Sequence, residues 1–161
     1  MLIISRVYRC ILLAKFEFFL FFCVSLQLDR GDVRNVKLSN ICLTRQMTIE
    51  HGSKQCDSFL HLPPEAVHNR AYNASSEIYS LGIMLWEMWY GKEAFLEMKG
   101  LDLEVFLVNV EEGHRPSLTG LTTQTSMRWS ELIRGCWANA VQRNTLADCK
   151  SAITAILADQ K

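Results

Sequence analysis

The sequence predicts a mainly α-helical domain with one short β-hairpin, on three observations. Ile78, Leu81, Met84, Leu85, Met88 and Trp89 recur at helical spacing, and Tyr79, Ile83 and Trp86 make the other faces apolar, so this helix should be buried all round. Trp129, Leu132, Ile133, Cys136 and Trp137 stand at i, i+3, i+4, i+7 and i+8, the stripe of a helix with one face in the core. Val36 to Thr44 is apolar or β-branched often enough for a short strand, with Met47-Thr48-Ile49 as its expected return.

Start and stop signals bound these elements. Asn73 or Ser75 offers an N-cap to the central helix, Glu77 lies in its positive first turn, and Gly91 stands where a terminator belongs. Thr145 with Asp148 reads as a capping box opening a last helix, whose Leu146, Cys149, Ile153, Ile156 and Leu157 face one side. Leu101, Val105 and Val108 suggest a further helix between these two regions. The tryptophans are expected in the core.

Composition excludes several classes. The chain has 161 residues, 49% hydrophobic and 21% charged, as in an ordinary globular domain. Lys plus Arg and Asp plus Glu are 17 each, and that balance argues against electrostatic binding of nucleic acid. The six cysteines form no Cys-x-x-Cys pair, and they read as buried small hydrophobes of a reducing compartment. His51, His61, His68 and His114 lack metal-ligand spacing and read as ordinary surface or loop histidines.

Residues 1–28 form an apolar N-terminal segment. The run Phe18 to Val24 is far shorter than the roughly 20 residues that span a bilayer, so a membrane helix is not expected. Arg6, Arg9 and Lys15 before an apolar core fit a signal peptide or leader, but Glu17 and the lack of a clear small-residue cleavage site count against it. A helix preceding the motif below is the competing reading.

Four ordered motifs carry a family resemblance. Val33-Arg34-Asn35-Val36-Lys37-Leu38-Ser39-Asn40 has the spacing of a protein kinase catalytic loop. Leu62-Pro63-Pro64-Glu65-Ala66 resembles the element that closes a kinase activation segment, and Ser76 to Met88 resembles the central F helix. Gly113-His114-Arg115-Pro116, Cys136-Trp137 and Arg143 match the regions around helices G, H and I. Residues 29–161 therefore resemble the C-terminal lobe of a protein kinase, nearer the tyrosine-kinase-like group. Residues 1–28 would then hold helix E or a leader.

The resemblance implies roles and marks departures from them. In the family the loop Asp accepts the proton of the attacking hydroxyl, a Lys steadies the phosphate and an Asn holds a metal ion. Here Lys37 and Asn40 match while Asn35 replaces the acid, removing a general-base contribution on the order of 10² to 10⁴ in rate. Glu50-His51-Gly52 falls near the family's Asp-Phe-Gly, so Glu50 is either a second metal ligand beside Asn40 or part of a plain turn. Glu77 stands where kinases carry an Asp that binds the loop backbone, and the link from Ser53 to Leu62 is short for an activation segment. Gly31 and Gly52 are isolated, and neither a Gly-rich phosphate loop nor a Val-Ala-Ile-Lys strand is found, so the N-terminal lobe is expected to be absent.

Two functions follow. The first is a catalytically inactive, pseudokinase-like interaction module in the cytoplasm, with a protein partner, no nucleic acid, no membrane association and weak or absent Mg-ATP binding. The second is a Ser, Thr or Tyr kinase using Mg-ATP, of which this chain is a truncated product. In a variant of the second, Asp32 supplies the base, although it stands eight positions before Asn40 where the family spacing is five. The resemblance also implies a buried Glu65–Arg143 ion pair, and losing one partner of such a pair costs about 3–5 kcal/mol.

Overall fold

The structure is a computed structural model that describes residues 21–29, 32–42, 60–69, 72–120 and 123–159. Strands β1 (Phe21–Asp29) and β2 (Asp32–Cys42) pair antiparallel, and five described helices follow. These are α1 (Pro64–Asn69), α2 (Ala74–Tyr90), α3 (Leu103–Glu111), α4 (Gln124–Cys136) and α5 (Leu146–Ala158), with a 3₁₀ turn at Leu96–Met98. The described part is a helical lobe with one hairpin, the expected class.

The hairpin takes in residues 36–42 of the expected strand and starts earlier. Its second strand begins at Asp32 and its partner is β1, so the segment before the motif is extended over 21–29 rather than helical. The reason is legible in Val24-Ser25-Leu26-Gln27-Leu28-Asp29, which alternates apolar and polar residues at the strand period of two. The ladder's register slips by one residue twice, between Phe21 and Cys23 and between Gln27 and Leu28. Met47-Thr48-Ile49, the expected partner, and residues 1–20 lie outside the described residues.

Helix α2 is the axis of the lobe. Asn73 caps it, its side chain accepting from the Ser75 and Ser76 N–H groups at 2.9 and 3.1 Å. Gly91 ends it at φ 64°, a left-handed position that glycine takes without steric cost. Ile78, Tyr79, Ile83, Leu85 and Trp86 are buried in the cluster that also holds Trp129, Leu132, Ile133, Cys136, Trp137, Cys149, Ile153 and Ile156. The predicted stripe of α4 therefore packs on α2 and that of α5 on α4, in one common core, although Leu146 at the start of α5 is exposed.

Helix α3 exists, but it turns a different face inward. Phe106, Leu107 and Val110 are buried, whereas Leu101, Val105 and Val108 are exposed. Apolar residues run consecutively through Val105-Phe106-Leu107-Val108, so periodicity finds the helix and not its face. Phe95 decides the face. It packs edge-on against Phe106 with ring centroids 5.3 Å apart, and it is buried although its φ of 54° is left-handed. That backbone position costs on the order of 1–2 kcal/mol for a residue with a Cβ, and ring burial offsets it.

Close approach of α2 to α4 depends on Gly82. A Cβ placed there would lie 2.7 Å from the Cys136 Cβ and 3.3 Å from the Trp137 amide nitrogen. The second neighbour is backbone and cannot rotate away. Gly82→Ala is expected to destabilise the lobe by about 1–3 kcal/mol in urea unfolding, despite the better helix propensity of Ala.

Candidate functional site

The motif residues singled out in the sequence occupy β2. Asn35 pairs with Gln27 and Lys37 with Ser25, while Asn40 falls in the register slip near the strand's end. Asp32 opens the same strand opposite Asp29. The segment expected as a catalytic loop is thus extended, which follows from its partner β1 satisfying its backbone groups by a ladder. Glu50 lies outside the described residues. Among the described residues no group of three or more His, Cys, Asp or Glu side chains could hold a metal ion.

A second constellation is built in full detail around Arg143. It sits in the turn between α4 and α5, with its side chain 2% exposed. One terminal nitrogen donates to Glu65 Oε1 at 2.7 Å, to the Ser75 carbonyl at 2.9 Å and to Ser75 Oγ at 3.0 Å. The remaining nitrogens donate to the Ala138 carbonyl at 3.1 and 3.0 Å. A buried guanidinium is tolerable only when its fork is satisfied in this way. It joins α1, the start of α2 and the α4–α5 turn.

Tyr79 lies beneath this cation and a second one. The Arg143 guanidinium carbon is 5.2 Å from the ring centroid, and that of Arg115 is 5.4 Å away. Arg115 in turn donates to the carbonyls of Val110 and His114 at 2.7 Å each and to that of Trp137 at 3.2 Å. Burial pushes the Tyr79 hydroxyl up to about 12, against the opposing pull of Arg115 and Arg143. The phenol stays neutral, so its face remains available to both cations. In the sequence Arg115 stands out only as part of a motif, and only its carbonyl partners reveal what it holds.

Smaller contacts fasten the segment before α1. Ser80 Oγ donates to the His61 carbonyl at 2.7 Å, and Tyr72 shares a 3.3 Å hydrogen bond with Ser80. Burial, with Glu77 nearby, raises the Tyr72 hydroxyl above its ordinary range. The histidines beyond residue 60 all meet glutamates: His61 with Glu87, His68 with Glu111 and His114 with Glu97, at 3.1, 3.0 and 3.0 Å. They are surface pairs.

Comparison with known proteins agrees with this architecture. Residues 25–153 match the family described as protein tyrosine and serine/threonine kinase. The chain belongs to the protein kinase family. It is 30% identical over 103 residues to the Dictyostelium discoideum protein named "Probable serine/threonine-protein kinase roco8", covering 64% of this chain and 5% of that one. Identity is 28% over 121 residues to the serine/threonine-protein kinase VIK of Arabidopsis thaliana, covering 74% and 25% of the two chains. Against the tyrosine-protein kinase sid-3 of Caenorhabditis elegans it is 27% over 113 residues, covering 66% and 9%. The chain thus spans a quarter or less of each of these relatives. The kinase assignment places the Arg143 constellation between the activation-segment end, helix F and the helix H to helix I turn, as the motifs implied.

Glu87 provides a pH test of the helical frame. Burial opposes its ionisation, yet hydrogen bonds from His61 at 3.1 Å and from the Ala94 N–H at 2.9 Å, with the His61 charge, hold its carboxyl below the usual range. A carboxyl lowered in the folded state adds stability that is present above its unfolded pKa and lost as pH falls through the folded one. Glu87→Gln is therefore expected to cost about 1 kcal/mol at pH 7, with the deficit closing as acid protonates the Glu87 carboxyl, when both chains are melted from neutral into acidic pH.

Proposed function

We propose that this kinase-family chain is a protein-interaction module that does not itself transfer phosphate. The observation that carries the reading is Asn35, an amide at the position where the family's loop supplies its base. An amide takes up no proton near neutral pH, so the side chain offers no general-base assistance. Glu77 stands at a further family Asp position and Glu50 falls near another, each one methylene longer. By contrast, Glu65 and Arg143 pair at family positions, and the α2 caps and the packed faces of α4 and α5 are fully formed. A scaffold that keeps its shape while its reacting face diverges suits binding to a protein better than catalysis. The balanced charge supports a protein partner over nucleic acid. Buried free thiols at Cys136 and Cys149 support a cytoplasmic setting. No helix among the described residues is long and apolar enough to cross a membrane.

A second reading keeps the enzyme, with Asp32 as base and Mg-ATP as donor. Asp32 is an acid at the head of the same strand as Lys37 and Asn40. One pair of measurements separates the two. The purified chain is expected to show no thermal shift with Mg-ATP, whereas nucleotide at 100 times its dissociation constant would stabilise it by about 2.7 kcal/mol. It is also expected to transfer no labelled phosphate to a generic protein substrate. Transfer that Asp32→Ala abolishes would establish the enzyme and overturn the module.

A further inference from the structure

We propose that Cys136 and Cys149 form an oxidation site, a thiol pair that hydrogen peroxide converts into a disulfide joining α4 to α5. Both residues are free and fully buried, and their Sγ atoms lie 3.5 Å apart across the helix contact. A disulfide brings its sulfurs to about 2.05 Å, so closure needs an approach of roughly 1.5 Å, within reach of a modest side-chain rotation at each residue.

Position divides the roles. Cys149 lies in the first turn of α5, where the partial positive charge of the helix start favours a thiolate. The hydrogen bond shared with Cys136 also holds the Cys149 thiol below its ordinary range, against burial and the neighbouring Asp148 carboxylate, while that same contact and burial push Cys136 up. Cys149 is therefore the sulfur that attacks. Its thiolate displaces hydroxide from the peroxide to give a sulfenic acid, and the hydroxide takes a proton to become water. The Cys136 sulfur then attacks the sulfenic sulfur, the S–S bond forms, and a second water leaves with the Cys136 proton. In total two thiols are oxidised and one peroxide is reduced to two waters.

The product would close a loop with Arg143 inside it. The turn is already drawn together by the Asn144 N–H donating to the Gly135 carbonyl at 2.9 Å, and it supplies the Ala138 carbonyl to Arg143. Oxidation would thus fix the turn that carries the anchor. Since both sulfurs are buried, the peroxide reaches them only through local opening at the α4–α5 end, which makes the reaction slow but leaves the lobe folded.

The test uses the intact chain, treated with hydrogen peroxide in native buffer, alkylated and cleaved with trypsin. Cleavage after Arg134, Arg143 and Lys150 puts the two cysteines on separate peptides, 135–143 and 144–150, so only a disulfide links them. The expected result is that linked species, together with a rise in melting temperature on the order of 5–10 °C that reductant reverses. Cys149→Ser should give neither, and Cys136→Ser provides the same control should the first variant fold poorly. Separate peptides with free or sulfinic cysteines would overturn the proposal. So would linkage seen only in denaturant, or linkage of Cys136 and Cys149 to other cysteines instead.

Discussion

The described lobe depends on one buried cation. Arg143 comes from a short turn late in the chain, yet its fork reaches Glu65 on α1, the first turn of α2 and the Ala138 carbonyl just past α4. A guanidinium withdrawn from water must have its donors met in fixed directions, so each of these partners is held in place relative to the others. The constraint acts in both directions. It positions the turn between α4 and α5, and it holds the Pro-Pro-Glu segment against α2, where Ser80 and Glu87 add lesser ties. Tyr79 completes the arrangement by offering its ring to Arg143 and Arg115 together, so the α4–α5 turn and the 113–116 segment meet on one side chain of α2.

Around this anchor the helical frame was largely legible in the residues. Strong stripes such as Trp129, Leu132, Ile133 and Cys136 leave a helix only one face to bury, and caps such as Thr145 with Asp148 mark its start chemically. Where the pattern was redundant it failed. Helix α3 has apolar residues on two faces, and the choice between them belongs to Phe95, a residue outside the helix. In the hairpin, β2 was legible from Val36 onward through its β-branched residues, whereas β1 is marked only by the short alternation in Val24 to Asp29. The partners of Arg115 were not legible at all, since it bonds only to backbone carbonyls, which every sequence possesses.

The candidate site divides accordingly. Its scaffolding half, Glu65 with Arg143, was readable because the family resemblance pairs these positions; the structure buries Arg143 and leaves Glu65 partly exposed. Its proposed reacting half rests on side-chain identities: the amide of Asn35 beside Lys37 and Asn40. Identity fixes what Asn35 cannot do, namely accept a proton, whatever backbone carries it.

Whether the Glu65–Arg143 pair ties the two halves of the lobe is best settled by a double-mutant cycle. Wild type, Glu65→Ala, Arg143→Ala and the double variant would be unfolded in urea under one set of conditions. A coupling energy on the order of 1–3 kcal/mol is expected, with Arg143→Ala the costlier single change because it also abandons Ser75 and Ala138. Additive single effects, with no coupling between the two positions, would show that the pair does not hold the lobe together.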